Sequence, residues 1–175
     1  MPVVILVQAP KTYGVESHLG YGDMVFSFFS SISYHLEGLG KWGSRFPRLL
    51  LDLCDQGIVR NEYLEELELE LEVISHELKN FSLSEAIYDI GDLNKKIPWK
   101  ALPGSESHSL VQPWVTPRGE ESYFSVFKTL IAQAKRINAP ILLIYPPETA
   151  DRNTLWLPKE KGRNYWIKDM GHNYG

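Results

Sequence analysis

"NEYLEELELELEVISHELKNF", residues 61–81, admits two readings that lead to different folds. The Leu/Glu alternation at 67–72 has the period of a half-buried strand. Against it, Leu64, Leu67, Leu71, Ile74, Leu78 and Phe81 form one stripe at spacings of three and four, the signature of an amphipathic helix. Leu and Glu are good helix formers, Asn61 is a suitable cap, and the early glutamates suit the positive end of the helix dipole. The stretch therefore reads as one long helix. Two apolar residues stay off its stripe. Leu69 and Val73 are i, i+4 neighbours on nearly the opposite face, among Glu62, Glu65, Glu66, Glu72 and Glu77. Such a pair is either covered by another element or left as a contact spot for a partner.

On the N-terminal side of this helix, residues 3–7 are a continuous, β-branched apolar run and read as a short buried strand. Residues 11–22 hold three glycines without a clear period and read as a loop or weak hairpin. Asp23 is placed to cap a helix with Met24, Val25, Phe28, Phe29, Ile32 and Leu36 on one face and Ser27, Ser30 and Ser31 on the other. "EGLGKWG" ends it. A second helix is expected from Ser44, with Pro47 in its first turn and Phe46, Leu49, Leu50, Leu53 and Cys54 inward. Gly57 is its expected C-cap. Between the two, "GKWGSRFPRLL" (40–50) reads as a structural corner in preference to a partner contact: Gly40 and Gly43 turn the chain, Trp42 and Phe46 plug the junction, Pro47 starts the helix, and Arg45 can reach carbonyls at the end of the first helix.

On the C-terminal side, the short run 86–90 has the look of a strand, and a Pro/Gly/Ser-containing loop follows, with Trp99 plugging a core edge. Residues 110–116 read as a strand in which Pro113 marks an edge or bulge. Thr116 and Pro117 look like the start of a helix reaching to about Asn138, with Phe124, Phe127, Leu130, Ile131, Ala134 and Ile137 inward and Lys135 and Arg136 at its basic end. "APILLIYPP" is a second buried strand. The helix-then-strand order suggests that it packs beside the 3–7 strand, as a candidate parallel neighbour. The expected architecture is α+β: a single domain over residues 1–147, with a mixed sheet of about four to five strands and four helices. Residues 148–175 form a polar, basic and aromatic extension that could hold edge strands, a docking arm or a mobile end.

With 175 residues, 43% apolar and 23% charged, the chain has the composition of an ordinary globular domain with room for a core. No run approaches the ~20 apolar residues a membrane-spanning helix needs. The N-terminus lacks the basic start of a secretory signal. A single cysteine allows no intrachain disulfide and fits a reducing compartment, so the expected location is cytoplasmic. The net charge of −4 is unevenly spread: residues 61–97 carry ten acids against three bases, a local −7. That block would repel phosphates and disfavours direct nucleic-acid binding, while it suits a basic partner.

No catalytic, metal or cofactor motif stands out. The five histidines form neither H-x-x-x-H nor H-E-x-x-H, the glycines make no phosphate loop, and there is no G-x-S-x-G elbow. A site assembled from distant residues, such as Asp23, His35 and Arg45, stays open at this point, as does a non-enzymatic adaptor role. "SFFSSISYHLE", a short glycine-containing gap and then "KWGSRFPRLLLDL" resemble the immunity protein 70 family of bacterial polymorphic toxin systems, with "WGSRFP" the sharpest part. The later order agrees: an acidic helix, "AIYDIGDL", "IPW", a "VTPRG" turn and a last amphipathic helix. The resemblance covers roughly residues 20–138. It implies a small non-enzymatic protein, without cofactor or metal, that binds and neutralises one cognate toxin domain, delivered by contact or secretion, and so protects producer and kin. A basic nuclease is one such toxin. The expected partner-binding residues are Glu65, Glu66, Leu69, Glu72 and Val73. The expected structural motif is Trp42, Arg45, Phe46 and Pro47.

Overall fold

The two apolar runs lie side by side at the centre of one sheet. A computed structural model of the protein describes residues 2–7, 16–97 and 108–144. Among them, strands β1 (Pro2–Val7), β2 (Glu16–Tyr21), β3 (Ile58–Val59) and β4 (Ile141–Ile144) form a sheet in the order β2-β1-β4-β3. Val3, Ile5, Val7, Ile141 and Leu143 face the main core, while the alternate residues Val4, Leu6, Leu142 and Ile144 point the other way and are buried too. Burial on both faces is why these strands read as unbroken apolar runs.

Every pairing is antiparallel, which corrects the expectation of a mixed sheet with β4 parallel to β1. Continuous apolar sequence reports two-sided burial, and an antiparallel strand can be buried on both sides as well. The chain direction is set by the connection. β4 enters beside the last residues of its neighbours, Ile141 opposite Val7 and Val59, and runs back between them. β1 and β2 pair as a hairpin whose register shifts between Val3 and Val4, so that Leu19 bulges out of the ladder. Tyr123 donates its hydroxyl hydrogen to the freed Leu19 carbonyl inside the core, and burial pushes its phenol well above the usual range.

Helix α1 (Gly22–Ile32) buries Val25, Phe28, Phe29 and Ile32 and continues as a wider π turn, Ser33–Glu37, that stops at Gly38. Tyr21, not Asp23, is the residue before it, and Asp23 lies inside the first turn. The serine face of α1 is also buried, and this settles residues 86–90. They form no strand. Ser27 Oγ donates to the Ile87 carbonyl (2.6 Å), and Ile87 N and Ile90 N donate to Ser31 and Ser30 (2.9 and 3.2 Å). Side-chain hydroxyls thus satisfy the backbone groups that a neighbouring strand would otherwise have bonded.

A π-helix spans Arg48–Gln56, four residues later than Ser44, with Pro47 as its N-cap and Gly57 (φ 75°) closing it. It buries Leu49, Leu50, Leu53 and Cys54. Residues 61–80 are helical throughout: a 3-10 turn Asn61–Tyr63, helix α2 (Leu64–Glu77), and a 3-10 turn Leu78–Asn80. The stripe Leu64, Leu67, Leu71, Ile74 and Leu78 is buried, with Phe81 packed at its margin. Asn61 does not cap the helix; its amide donates to Asn138 Oδ1 (2.6 Å).

Residues 110–116 are not a strand. Only an isolated Val115–Ser122 bridge forms there, around a turn closed by Gly119 N to the Thr116 carbonyl (2.7 Å). Helix α3 is Tyr123–Ile137, and its cap is Ser122, which accepts from Ser125 N (3.1 Å). Pro117 belongs to the preceding turn. The later start brings Tyr123 and Val126 into the core with Phe127, Leu130, Ile131 and Ala134, whereas Ile137, at the last residue before Asn138 turns the chain, is exposed. Trp99 and the 148–175 extension lie outside the described residues.

Candidate interaction surface

The corner at 40–50 is built round two glutamates that carry no motif of their own. Glu37, at the end of the π turn, accepts from Gly43 N, Arg45 N and Phe46 N, all at 2.9 Å, and from Ser33 Oγ at 2.8 Å. The loop is wrapped on one carboxylate. Gly43 has to be glycine: its φ is +72°, and a Cβ there would sit 2.4 Å from Leu51 Cγ. Trp42 Nε1 donates to Asp55 Oδ2 (3.0 Å), Phe46 is buried, and Arg45 donates to the Leu36 carbonyl (3.3 Å).

Glu70 does the same at the start of the π-helix. Its two oxygens accept from Arg48 N (3.0 Å) and Leu49 N (2.8 Å), donors left without helical partners there. Burial pushes the Glu70 carboxyl up, and these donors with Arg48 pull it part of the way back. Arg45 forms a two-pronged pair with Glu77, both bonds 2.6 Å, and holds that carboxyl below its ordinary value. Arg48 bonds Asp52 (2.5 Å) and Glu66 (2.9 Å) and lies 4.0 Å from the centre of the Tyr63 ring. One flank of α2 is thereby fastened to the corner. On its other flank Lys135 of α3 reaches Glu68, and Glu65 at 3.6 Å.

The rest of α2 is its outer face. Leu69 is 58% exposed and Val73 40% exposed. One helical turn apart, they form a continuous apolar patch. Glu62 and Glu72 make no ion pair among the described residues, so much of the local charge that looks unopposed in the sequence is answered by Arg45, Arg48 and Lys135, and less of it faces outward. The five residues singled out from sequence thus separate: Leu69, Val73 and Glu72 are available, whereas Glu65 and Glu66 already have partners. The signals that sequence reasoning missed, Glu37 and Glu70, act through backbone donors: Glu37 on the loop six to nine residues after it, Glu70 on residues more than twenty before it.

Asp23, His35 and Arg45 do not come together. Asp23 Oδ2 accepts from Tyr88 Oη (3.0 Å), His35 Nε2 meets the Glu85 carbonyl (2.7 Å), and Arg45 is held by Glu77. Twelve residues along α1 and its continuation separate Asp23 from His35, about 18 Å at the helical rise. Among the described residues no group of three or more His, Cys, Asp or Glu is arranged to hold a metal ion, and no helix is long and apolar enough to cross a membrane.

Comparison with curated proteins and with solved structures returned no match. The family model described as immunity protein 70 matches residues 11–143, the whole span that holds the corner, α2 and α3. The match covers well over half of the chain, and the protein belongs to the immunity protein 70 family.

Proposed function

We propose that this protein neutralises a cognate toxin domain of a bacterial polymorphic toxin system by binding it directly, and that the outer face of α2 is part of the contact. The observation that carries this reading is the exposed Leu69–Val73 pair on a helix otherwise packed and braced along both flanks. An apolar centre with charged surroundings on a rigid element is the form that dominant contact residues take. The acids beside it suit a basic toxin surface, which raises the association rate and sharpens specificity more than it adds net affinity. The contact covers the toxin's active site or its substrate surface and needs no catalytic group of its own. Family membership supports the class, and the scattered engagement of Asp23, His35 and Arg45 speaks against a catalytic site built from those three.

The test is co-expression with the toxin domain encoded beside it. Wild-type protein is expected to rescue growth and to co-purify with the toxin. Rescue by wild type but not by Leu69→Asp supports the surface. No rescue from any adjacent toxin overturns the function. Glu72→Lys is the cleaner charge test, because reversing Glu65 or Glu66 also removes the bond to Lys135 or Arg48.

A further inference from the structure

Beside the corner, Arg48, Asp52, Gln56, Ile58, Arg60 and Tyr63 line a cleft of about 230 Å³. Its floor is preorganised. Arg48 lies over the Tyr63 ring and is fixed through Nε and Nη1 by Glu66 and Asp52, which leaves its Nη2 edge without a partner among the described residues. The guanidinium of Arg60 and the amide of Gln56 make no hydrogen bond or ion pair among the described residues, and both residues are exposed. Arg48 is already answered by Asp52 and Glu66, so the uncommitted charge of the cleft is the guanidinium of Arg60, with the Nη2 edge of Arg48 as a spare donor. Planar forks with donors to spare, set beside an amide and an aromatic wall, match a carboxylate.

The cleft is continuous with the outer face of α2. Glu66 bonds the arginine of the cleft floor, and it lies three residues after Tyr63 and three before Leu69, the spacing of neighbours on a helix surface. From Tyr63 to Val73 is about 15 Å along the axis. A single interface of roughly 800 Å² per partner would cover both. We propose that the cleft receives an acidic side chain of the toxin domain, so that the recognition surface combines acids beside Leu69 and Val73 with Arg60, unpaired among the described residues, beyond Glu66. This rests on the toxin-binding reading above and specifies its partner. A toxin without an acidic side chain at this position would leave Arg60 unmatched, which gives a means of rejecting non-cognate toxins.

The experiment measures the affinity of the neighbouring toxin domain for the full chain at physiological ionic strength, with wild type, Arg60→Ala, Arg60→Glu and Leu69→Asp. Arg60 is exposed and makes no side-chain bond among the described residues, so both Arg60 variants are expected to keep the wild-type melting temperature. Expected is a loss of about tenfold or more for Arg60→Glu and a smaller loss for Arg60→Ala, with one Asp→Lys or Glu→Lys change in the toxin restoring binding to Arg60→Glu. Both Arg60 variants within twofold of wild type, while Leu69→Asp abolishes binding, would overturn the cleft and leave the function standing. No binding by wild type overturns both.

Discussion

Along the side of α2 that meets residues 45–50, Glu66, Glu70 and Glu77 each have a bonding partner on the corner; around Leu69 and Val73, Glu62 and Glu72 have no ion-pair partner among the described residues. The same residue type on one helix serves two ends. On the braced side, carboxylates orient backbone and arginines, and their loss should be read in stability. On the outer side there is little for the fold to lose, and loss should be read in binding. The comparison also shows that counting charge along a segment overstates the field a partner meets, because internal pairing has to be subtracted first.

Substitutions can break or sharpen this division. The largest effect is expected on the buried stripe: Ile74→Ala should cost about 2–5 kcal/mol, read as a lower denaturation midpoint. Next is Gly43→Ala at the corner. The left-handed backbone alone costs about 1–2 kcal/mol for an L side chain, and the Leu51 side chain would also have to move. Glu70→Ala leaves two backbone donors at the start of the π-helix unmet and should cost about 1–2 kcal/mol by the same measurement.

Smaller again is Glu77→Gln, below about 1 kcal/mol at neutral pH because both partners are about a third or more exposed. It has a pH signature. The folded-state carboxyl titrates below its ordinary 4.5, so its contribution is present above that value and disappears as pH falls through the lowered one. Melting temperature against pH should therefore fall less steeply on the acid side for Glu77→Gln than for wild type, and parallel curves would contradict the pairing. Smallest is Leu69→Ala, within about 0.5 kcal/mol of wild type in stability. A larger loss would mean that the outer face is part of the core.

Where sequence and structure agree, the reason is local. The stripe of α2 and the inward residues of the π-helix are written as periods, and the two central strands as unbroken apolar runs, none of which needs tertiary knowledge. Leu69 and Val73 were legible as the exceptions to such a period. Where the two differ, bonds outside the segment's own pattern decide. Residues 86–90 have a strand's composition, but the hydroxyls of Ser27, Ser30 and Ser31 take their backbone groups. Thr116 and Pro117 have the look of a helix start, yet they sit in a turn, and Ser122 caps instead. Of the surface, the apolar pair was readable. The pairing of Arg48 with Glu66, which joins that pair to the cleft, was not, because 18 residues separate the two.

The most direct test of the division is the affinity of the cognate toxin domain for Leu69→Asp, measured alongside the melting temperature of the same variant. A loss of binding of at least about a hundredfold in a protein that stays folded, its melting temperature lowered only by the modest cost of an Asp in a helix among glutamates, is the predicted result, since truncating a dominant contact costs about 2 kcal/mol or more and a buried charge costs further. Wild-type affinity in a folded Leu69→Asp protein would contradict it and move the toxin contact off α2.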